Sequence, residues 1–490
     1  MSKLLIVGEA GDGPVNTVTS VFTDNIEKSL KLFGHKEYKQ ITISPQGGSV
    51  TIGRPVGSSS VVFYNSVNSL HYDIFVSSIS SGSIVLPAVP LTGSQVGWLE
   101  YVPQYGQSSL TSAIIQAYSQ SFLTPIPSFD VLRLAPNILT QSQLALNQLT
   151  FKYIYPSIAG NNVTVLISAT DLTIFEAPNI ETKYTYSSYK NLGDFLDSVD
   201  LNIQLTNTNV SVKAPDIERY QDVYSVFSAV TGTYILTGSI SSSSPVTGYL
   251  SSLYDLDLEE YDIIAFPGTY GRQIFPLMSY IMSEDFPTLF VTGVSGTTLT
   301  SVVQDVYKHR NFVAVYGTGQ VQGYDSFTSD LITISSVAMA SDKNFYSFGS
   351  YLPLNVTTLT AVTNDSILAG YGVSCATYKN RVYSLGKMLS TDLTAKPYVT
   401  SIIKKFFKDV KNNMIDVVGK STGIAVMYAE TALQRALEAS VGPLSPVITY
   451  EGQVVGSNSE LTVSAHFTAV GTVDKISVST TVPLKLTSTS

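Results

Sequence analysis

The sequence predicts a multidomain α+β protein that is rich in strands. Residues 37–106 and 139–245 break into short alternating segments, such as Ser60-Val61-Val62-Phe63-Tyr64 and Val163-Thr164-Val165-Leu166-Ile167. Alternation with period two is the mark of half-buried strands. From residue 246 apolar runs alternate with helical stretches, which is the grammar of a central α/β domain. The last hundred residues read as two helices followed by strands, a C-terminal α+β domain ending in a terminal strand.

Each element follows from local pattern. Lys3-Leu4-Leu5-Ile6-Val7-Gly8 is a buried strand, and Glu9 to Asn16 a turn-rich loop. Ile26, Leu30 and Phe33 share a helix face over Thr23–Phe33, and Gly34 closes it. Residues 37–106 form a β-rich insertion. A helix resumes near Ser109, with Leu110, Ile114 and Ala117 on one side, and the strand Asp130–Leu134 follows. One short helix, Leu192 to Val199, interrupts the strands of 139–245, and the serine run 241–244 before Pro245 reads as a linker. Strands are expected at 261–266, 288–292 and 312–316, with helices at 272–283 and 299–308 between them. A long amphipathic helix runs from Ala395 to about Val418, a second from about Ser421 to Ser440. The expected domains are 1–36 with 107–138, the insertion 37–106, then 139–245, 246–375 and 376–490.

Composition narrows the function. Only 13% of the 490 residues are charged and 44% are hydrophobic, so a large core is affordable and wholesale disorder is not expected. The net charge of -9 suits nucleic-acid binding poorly, because phosphate neutralisation needs clustered cations. A single cysteine, Cys375, excludes an internal disulfide and fits a reducing compartment. Leu4 to Val7 is too short for a signal-peptide core, and no apolar run reaches the roughly 20 residues that span a bilayer. The expectation is a soluble protein assembled in a cytoplasm, without membrane or nucleic-acid partner.

Catalytic constellations are missing from the pattern. His35, His71, His309 and His466 are scattered, without metal-ligand spacing or a Gly-x-Ser-x-Gly elbow. His309 reads as a helix C-terminus. The acidic run Asp255, Asp257, Glu259, Glu260, Asp262 lacks a calcium loop's spacing and reads as a solvated helix end. Gly317-Thr318-Gly319-Gln320-Val321-Gln322-Gly323 has the wrong spacing for a dinucleotide loop and reads as a turn. No enzyme activity, cofactor or metal is expected.

Several segments, in order, resemble tail sheath proteins of contractile phage tails. They are Ile6-Val7-Gly8-Glu9-Ala10-Gly11-Asp12-Gly13-Pro14-Val15-Asn16, then Tyr155-Pro156 with Gly160-Asn161-Asn162-Val163. Asp262-Ile263-Ile264-Ala265-Phe266-Pro267-Gly268 and Arg381-Val382-Tyr383-Ser384-Leu385-Gly386-Lys387 complete the series. The resemblance implies a β-sandwich-like part at 139–245, a non-catalytic subtilisin-like domain at 246–375 and a sheath domain at 376–490. It implies stacked hexameric rings of the chain around an inner tail tube, with baseplate and tail terminator proteins at the ends. It also implies a location in the virion and contraction that drives the tube through a cell envelope. The rival reading is a β-rich receptor-binding or adhesin protein of the tail or baseplate.

Two features carry the expected contacts. In the first C-terminal helix Val399, Ile402, Ile403, Phe406, Phe407, Val410, Met414 and Val417 share one face, while Lys404, Lys408 and Lys411 lie opposite and Lys405 on the flank. The resemblance implies that these lysines face an acidic tube. In the terminal strand Ile476, Val478, Val482 and Leu484 alternate, which suits an unpaired strand that joins another copy's sheet, the alternative being pairing within its own subunit. Because the sequence starts close to Gly8-Glu9-Ala10, the expectation is either that this strand carries more of the linkage than an N-terminal arm or that residues 1–7 play a modified part.

Overall fold

The computed structural model describes residues 3–51, 60–65, 71–75, 78–80, 83–89, 92–102, 110–134, 140–177, 180–239, 260–270, 288–294, 298–306, 308–309, 311–321, 328–341, 352–359, 365–379, 382–385, 424, 426–431, 434–435, 448–456, 460–469 and 477–485. The chain divides into two compact units, 1–6 with 116–129 and 256–490, and 7–115 with 130–255.

The first unit is built on a parallel sheet. Leu4–Gly8, Ile263–Tyr270, Leu289–Gly293, Phe312–Tyr316 and Val373–Lys379 lie side by side in that order. Their apolar runs are buried because parallel strands are covered on both faces. Phe290 stacks between Phe266 and Phe312, with ring centroids at 6.4 and 5.3 Å. Two antiparallel strands, Val382–Leu385 and Leu352–Leu354, extend the sheet. The helix Ile332–Ser341 packs on this sheet and is buried from Ile332 to Ala340. Its pattern has no polar face and opens on Ile332-Thr333-Ile334, which reads as strand, so periodicity does not reveal it.

The same unit ends in a three-stranded antiparallel sheet, Ile448–Gly456, Glu460–Ala469 and Ser477–Lys485, in that order. Thr318–Val321 forms another small sheet between Thr328–Asp330 and Val356–Leu359. The segment 317–323 is therefore not simply a turn. A Cβ on Gly319 would stand 3.1 Å from Leu331, Val356 and the Thr358 carbonyl, so close packing accounts for the glycine. His309 also departs from expectation. The helix Leu299–Asp305 stops short of it, and His309 Nδ1 accepts from the Asn311 amide at 3.2 Å.

The second unit is mostly β. In the segment 37–101 the strands Glu37–Ile43, Gln95–Tyr101, Ser60–Asn65 and His71–Phe75 form one sheet, and Gly48–Thr51, Ser83–Leu86 and Ser78–Ser80 another. They share a core that includes Ile43, Phe63, Ile84 and Leu99. Over 140–239, the strands Ile180–Thr185, Asp171–Ala177, Thr164–Ile167 and Gly232–Ile235 form a sheet, and Gln143–Leu146, Leu149–Tyr153 and Val210–Lys213 a second. Phe151, Tyr184, Phe195 and Phe227 fill their core. The helix Leu192–Gln204 starts where Asn191 Oδ1 accepts the Asp194 amide at 2.9 Å, and it runs a full turn past Val199. The sequence signal fades there because Leu201 and Leu205 lie on the exposed side. A further short helix, Val223–Ser228, is capped by Asp222.

Candidate assembly surfaces

The terminal strand Ser477–Lys485 is paired in the structure. It runs antiparallel to Glu460–Ala469 of its own chain, with Val478 opposite Phe467, Val482 opposite Val463 and Leu484 opposite Leu461. A short connection at 470–476 makes this local pairing the easiest to form, since closure entropy rises with loop length. The strand is thus not free in the way its alternation suggested. Among the described residues it is instead the last strand of its sheet, so one edge of its backbone faces away from Glu460–Ala469. Pro483, which has no N–H to donate, sits in it, as suits an edge position. Ile476 lies outside the described residues, and so do Lys404, Lys405, Lys408 and Lys411.

The second C-terminal helix is described in part, at 424, 426–431 and 434–435. Ile424, Met427 and Tyr428 are exposed while Ala429 is buried. Those three positions form one helical stripe of apolar side chains in contact with solvent, a pattern that marks an interaction face. In the second unit Leu201, Leu205, Tyr220 and Tyr224 are also exposed.

The loop after the first strand is anchored by a buried polar cluster. The Tyr153 hydroxyl donates to Asp12 Oδ2 at 2.7 Å, and the Gly13 amide donates to Asp12 Oδ1 at 2.8 Å. Arg133, itself buried, donates to the Gly13 carbonyl at 2.5 Å and the Pro156 carbonyl at 2.9 Å. Ser157 Oγ donates to the Gly11 carbonyl at 2.8 Å. Gly13 has φ of 92°, and a Cβ there would lie 2.9 Å from the Leu32 carbonyl, so the loop needs glycine at this point. Burial pushes the Asp12 carboxyl above the usual carboxylate range, while the Tyr153 bond and the Arg133 charge pull it part of the way back. Glu176, which accepts from Thr208 and from the Asn209 amide, is raised for the same reason. The loop Gly11–Gly13 and the segment Tyr155–Ser157, far apart in sequence, meet in this cluster.

Nothing in the described geometry assembles a reacting centre. Asp330 accepts from the amides of Gly268 at 2.7 Å and Ile332 at 3.1 Å, and burial lifts it to about 6. It ties the strand Ile263–Tyr270 to the start of the buried helix. Glu260 and Asp262 bind the start of the first strand, through Lys3 Nζ at 2.6 Å and the Lys3 amide at 2.7 Å. They anchor the start of the chain, while Asp255, Asp257 and Glu259 of the same acidic run lie outside the described residues. Cys375 is buried. Among the described residues no group of three or more His, Cys, Asp or Glu could hold a metal ion, and no helix is long and apolar enough to cross a membrane.

No protein-family model matches this sequence, and no curated protein matches it. Solved structures do. The sheath tail protein Lin1278 from Listeria innocua is similar over 99% of this chain and 95% of its own, with a TM-score of 0.58 at 13% identity. The sheath tail protein DSY3957 from Desulfitobacterium hafniense is similar over 99% and 96%, with a TM-score of 0.55 at 10% identity. The likeness runs from end to end and includes the β-rich insertion as well as the α/β part. The chain therefore has the fold of these sheath tail proteins.

Proposed function

We propose that this protein is the structural subunit of a contractile tail sheath and has no catalytic role. The end-to-end fold likeness to two sheath tail proteins carries this reading. The segments that resemble the family agree with it, because two of them, Gly11–Gly13 and Tyr155–Ser157, are joined by the Asp12 cluster.

Many copies would polymerise as stacked rings, with six-fold symmetry the expected count, around an inner tail tube in the virion. Baseplate and terminator proteins would close the ends. Lys404, Lys405, Lys408 and Lys411 would face the tube. Exposed ion pairs are worth about 0–1 kcal/mol each, so such contacts are weak enough to release on contraction. Copies would be linked through the terminal strand, by Val478, Val482 and Leu484 with Ile476. Edge-to-edge addition would form several backbone hydrogen bonds, each contributing about 0.5–1.5 kcal/mol, so these links outlast the tube contacts. The parallel-sheet part corresponds to the subtilisin-like domain of this reading, with no protease activity inherited from the fold.

Negative-stain electron microscopy of the purified full chain, over a range of concentrations and salt, tests the proposal. Regular hollow tubes, alone or with the tube protein added, are the expected result. Particles that stay monomeric or form compact trimers under both conditions would overturn it.

A further inference from the structure

Within 140–239 the helix Leu192–Gln204 packs on the strand Val210–Lys213, with Phe195, Val199, Val210 and Val212 in one core. The helix therefore covers one side of the sheet formed by Gln143–Leu146, Leu149–Tyr153 and Val210–Lys213. Its exposed positions and the outward side of that sheet look in opposite directions. On the helix, Leu201 and Leu205 are 53% and 59% exposed, one turn apart, and they continue the stripe of exposed Asp197. Asp194 and Asp200 flank it and are also exposed. One cation stands beside them: Arg219, held against the helix start by the Gly193 amide at 2.7 Å, donates to Asp197 at 2.5 Å. The outward side of the sheet has the other sign. Gln143, Lys152 and Ser211 align in one row, and Ala145, Thr150 and Lys213 in another two residues along. Neither row holds a carboxylate, and neither lysine has an ion-pair partner among the described residues.

We propose that these two surfaces are one interface between copies of this chain: the Asp194–Leu205 face of one copy docks on the Lys152–Lys213 face of the next. Charge complementarity selects a second copy as the occupant, because the aspartates and the lysines are opposite in sign and each set is in excess on its own face. Lysine stems can lie along the exposed leucines while their ammonium groups reach the carboxylates, which covers the apolar stripe and the charge together. Since the two faces point away from each other on one folded body, the contact is head-to-tail. It passes from copy to copy and does not close a two-fold pair. The contact is argued from the surfaces alone, and it adds to the sheath reading a link between copies that is separate from the terminal strand.

Charge reversal in the full chain tests the contact. Asp194→Lys with Asp200→Lys should weaken self-association at about 50 mM salt by at least about tenfold, read from the concentration dependence of sedimentation velocity. Lys152→Glu with Lys213→Glu should do the same. The quadruple variant, which exchanges the two signs, should return to within about threefold of the parent, because the coupling between the faces is restored. Circular dichroism matching the parent shows that each variant folds. If the first does not fold, Asp194→Asn with Asp200→Asn takes its place, with a loss of about threefold expected. A parent that does not self-associate, association indifferent to either reversal, or no recovery in the quadruple variant would overturn the inference. Association that follows the charges in a protein that never grows tubes would keep the contact and remove the sheath reading. Tubes indifferent to the charges would keep the sheath reading and remove the contact.

Discussion

Tyr153→Phe isolates one hydrogen bond in the buried cluster that holds the Gly11–Gly13 loop. The substitution keeps the ring, which fills the 140–239 core, and removes only the hydroxyl that donates to Asp12 at 2.7 Å. A bond to a charged partner contributes about 1.5–3 kcal/mol, so the expected loss is about 2 kcal/mol. The sign of its pH dependence follows from Asp12. Burial raises the folded carboxyl above its unfolded value, so the stability that Asp12 contributes is present at low pH and is lost as pH rises through the folded pKa. The Tyr153 bond lowers that pKa, and without it the carboxyl is raised further. The penalty of Tyr153→Phe is therefore larger at pH 8 than at pH 5. Trp98, the only tryptophan, belongs to the same compact unit, so urea unfolding followed by its fluorescence reads out the change. A loss below about 0.5 kcal/mol at both pH values would refute the role given to this bond.

Asp330 should make the first unit less stable as pH rises from 4 to 7, by up to about 3 kcal/mol for a carboxyl moved from 3.8 to about 6. In Asp330→Asn that slope should vanish from denaturant curves taken across the same range. Gly97→Ala would place a Cβ 2.1 Å from the Tyr64 carbonyl. Loss of at least about 2 kcal/mol and a shifted Trp98 emission are expected, because the neighbour is backbone and cannot step aside cheaply. Removing residues 475–490 should abolish polymerisation while circular dichroism still reports a folded monomer, and polymers of the truncated chain would argue against linkage through this strand. Lys404→Glu with Lys408→Glu and Lys411→Glu should weaken co-sedimentation with the tube protein at low salt and leave tubes of the chain alone intact.

The α+β class and most strands were legible because their apolar residues alternate or run together. Phe312–Tyr316 and Leu4–Gly8 are examples where an uninterrupted apolar run admits little else. The buried helix at 332–341 was not legible, because without a polar face it has no period to detect. The strand at 318–321 was hidden by glycines that serve close packing and look like turn residues. The Asp12 cluster could have been suspected from Asp12 beside Gly13, yet its partners Arg133, Tyr153 and Ser157 are brought in by the fold alone. The terminal strand was read correctly as a strand, but its alternation says which residues share a face and not whose sheet they join.

A helix with solvent on no side is a locked joint. From Ile332 to Ala340 each residue is covered, so turning or sliding this helix would open the sheet it packs on. The hydroxyls of Thr333 and Ser335 are buried without a hydrogen-bond partner, and Ser336 bonds back to the Ile332 carbonyl at 2.8 Å. In the sheath proposed above, any displacement of the subunit would carry this body as a block.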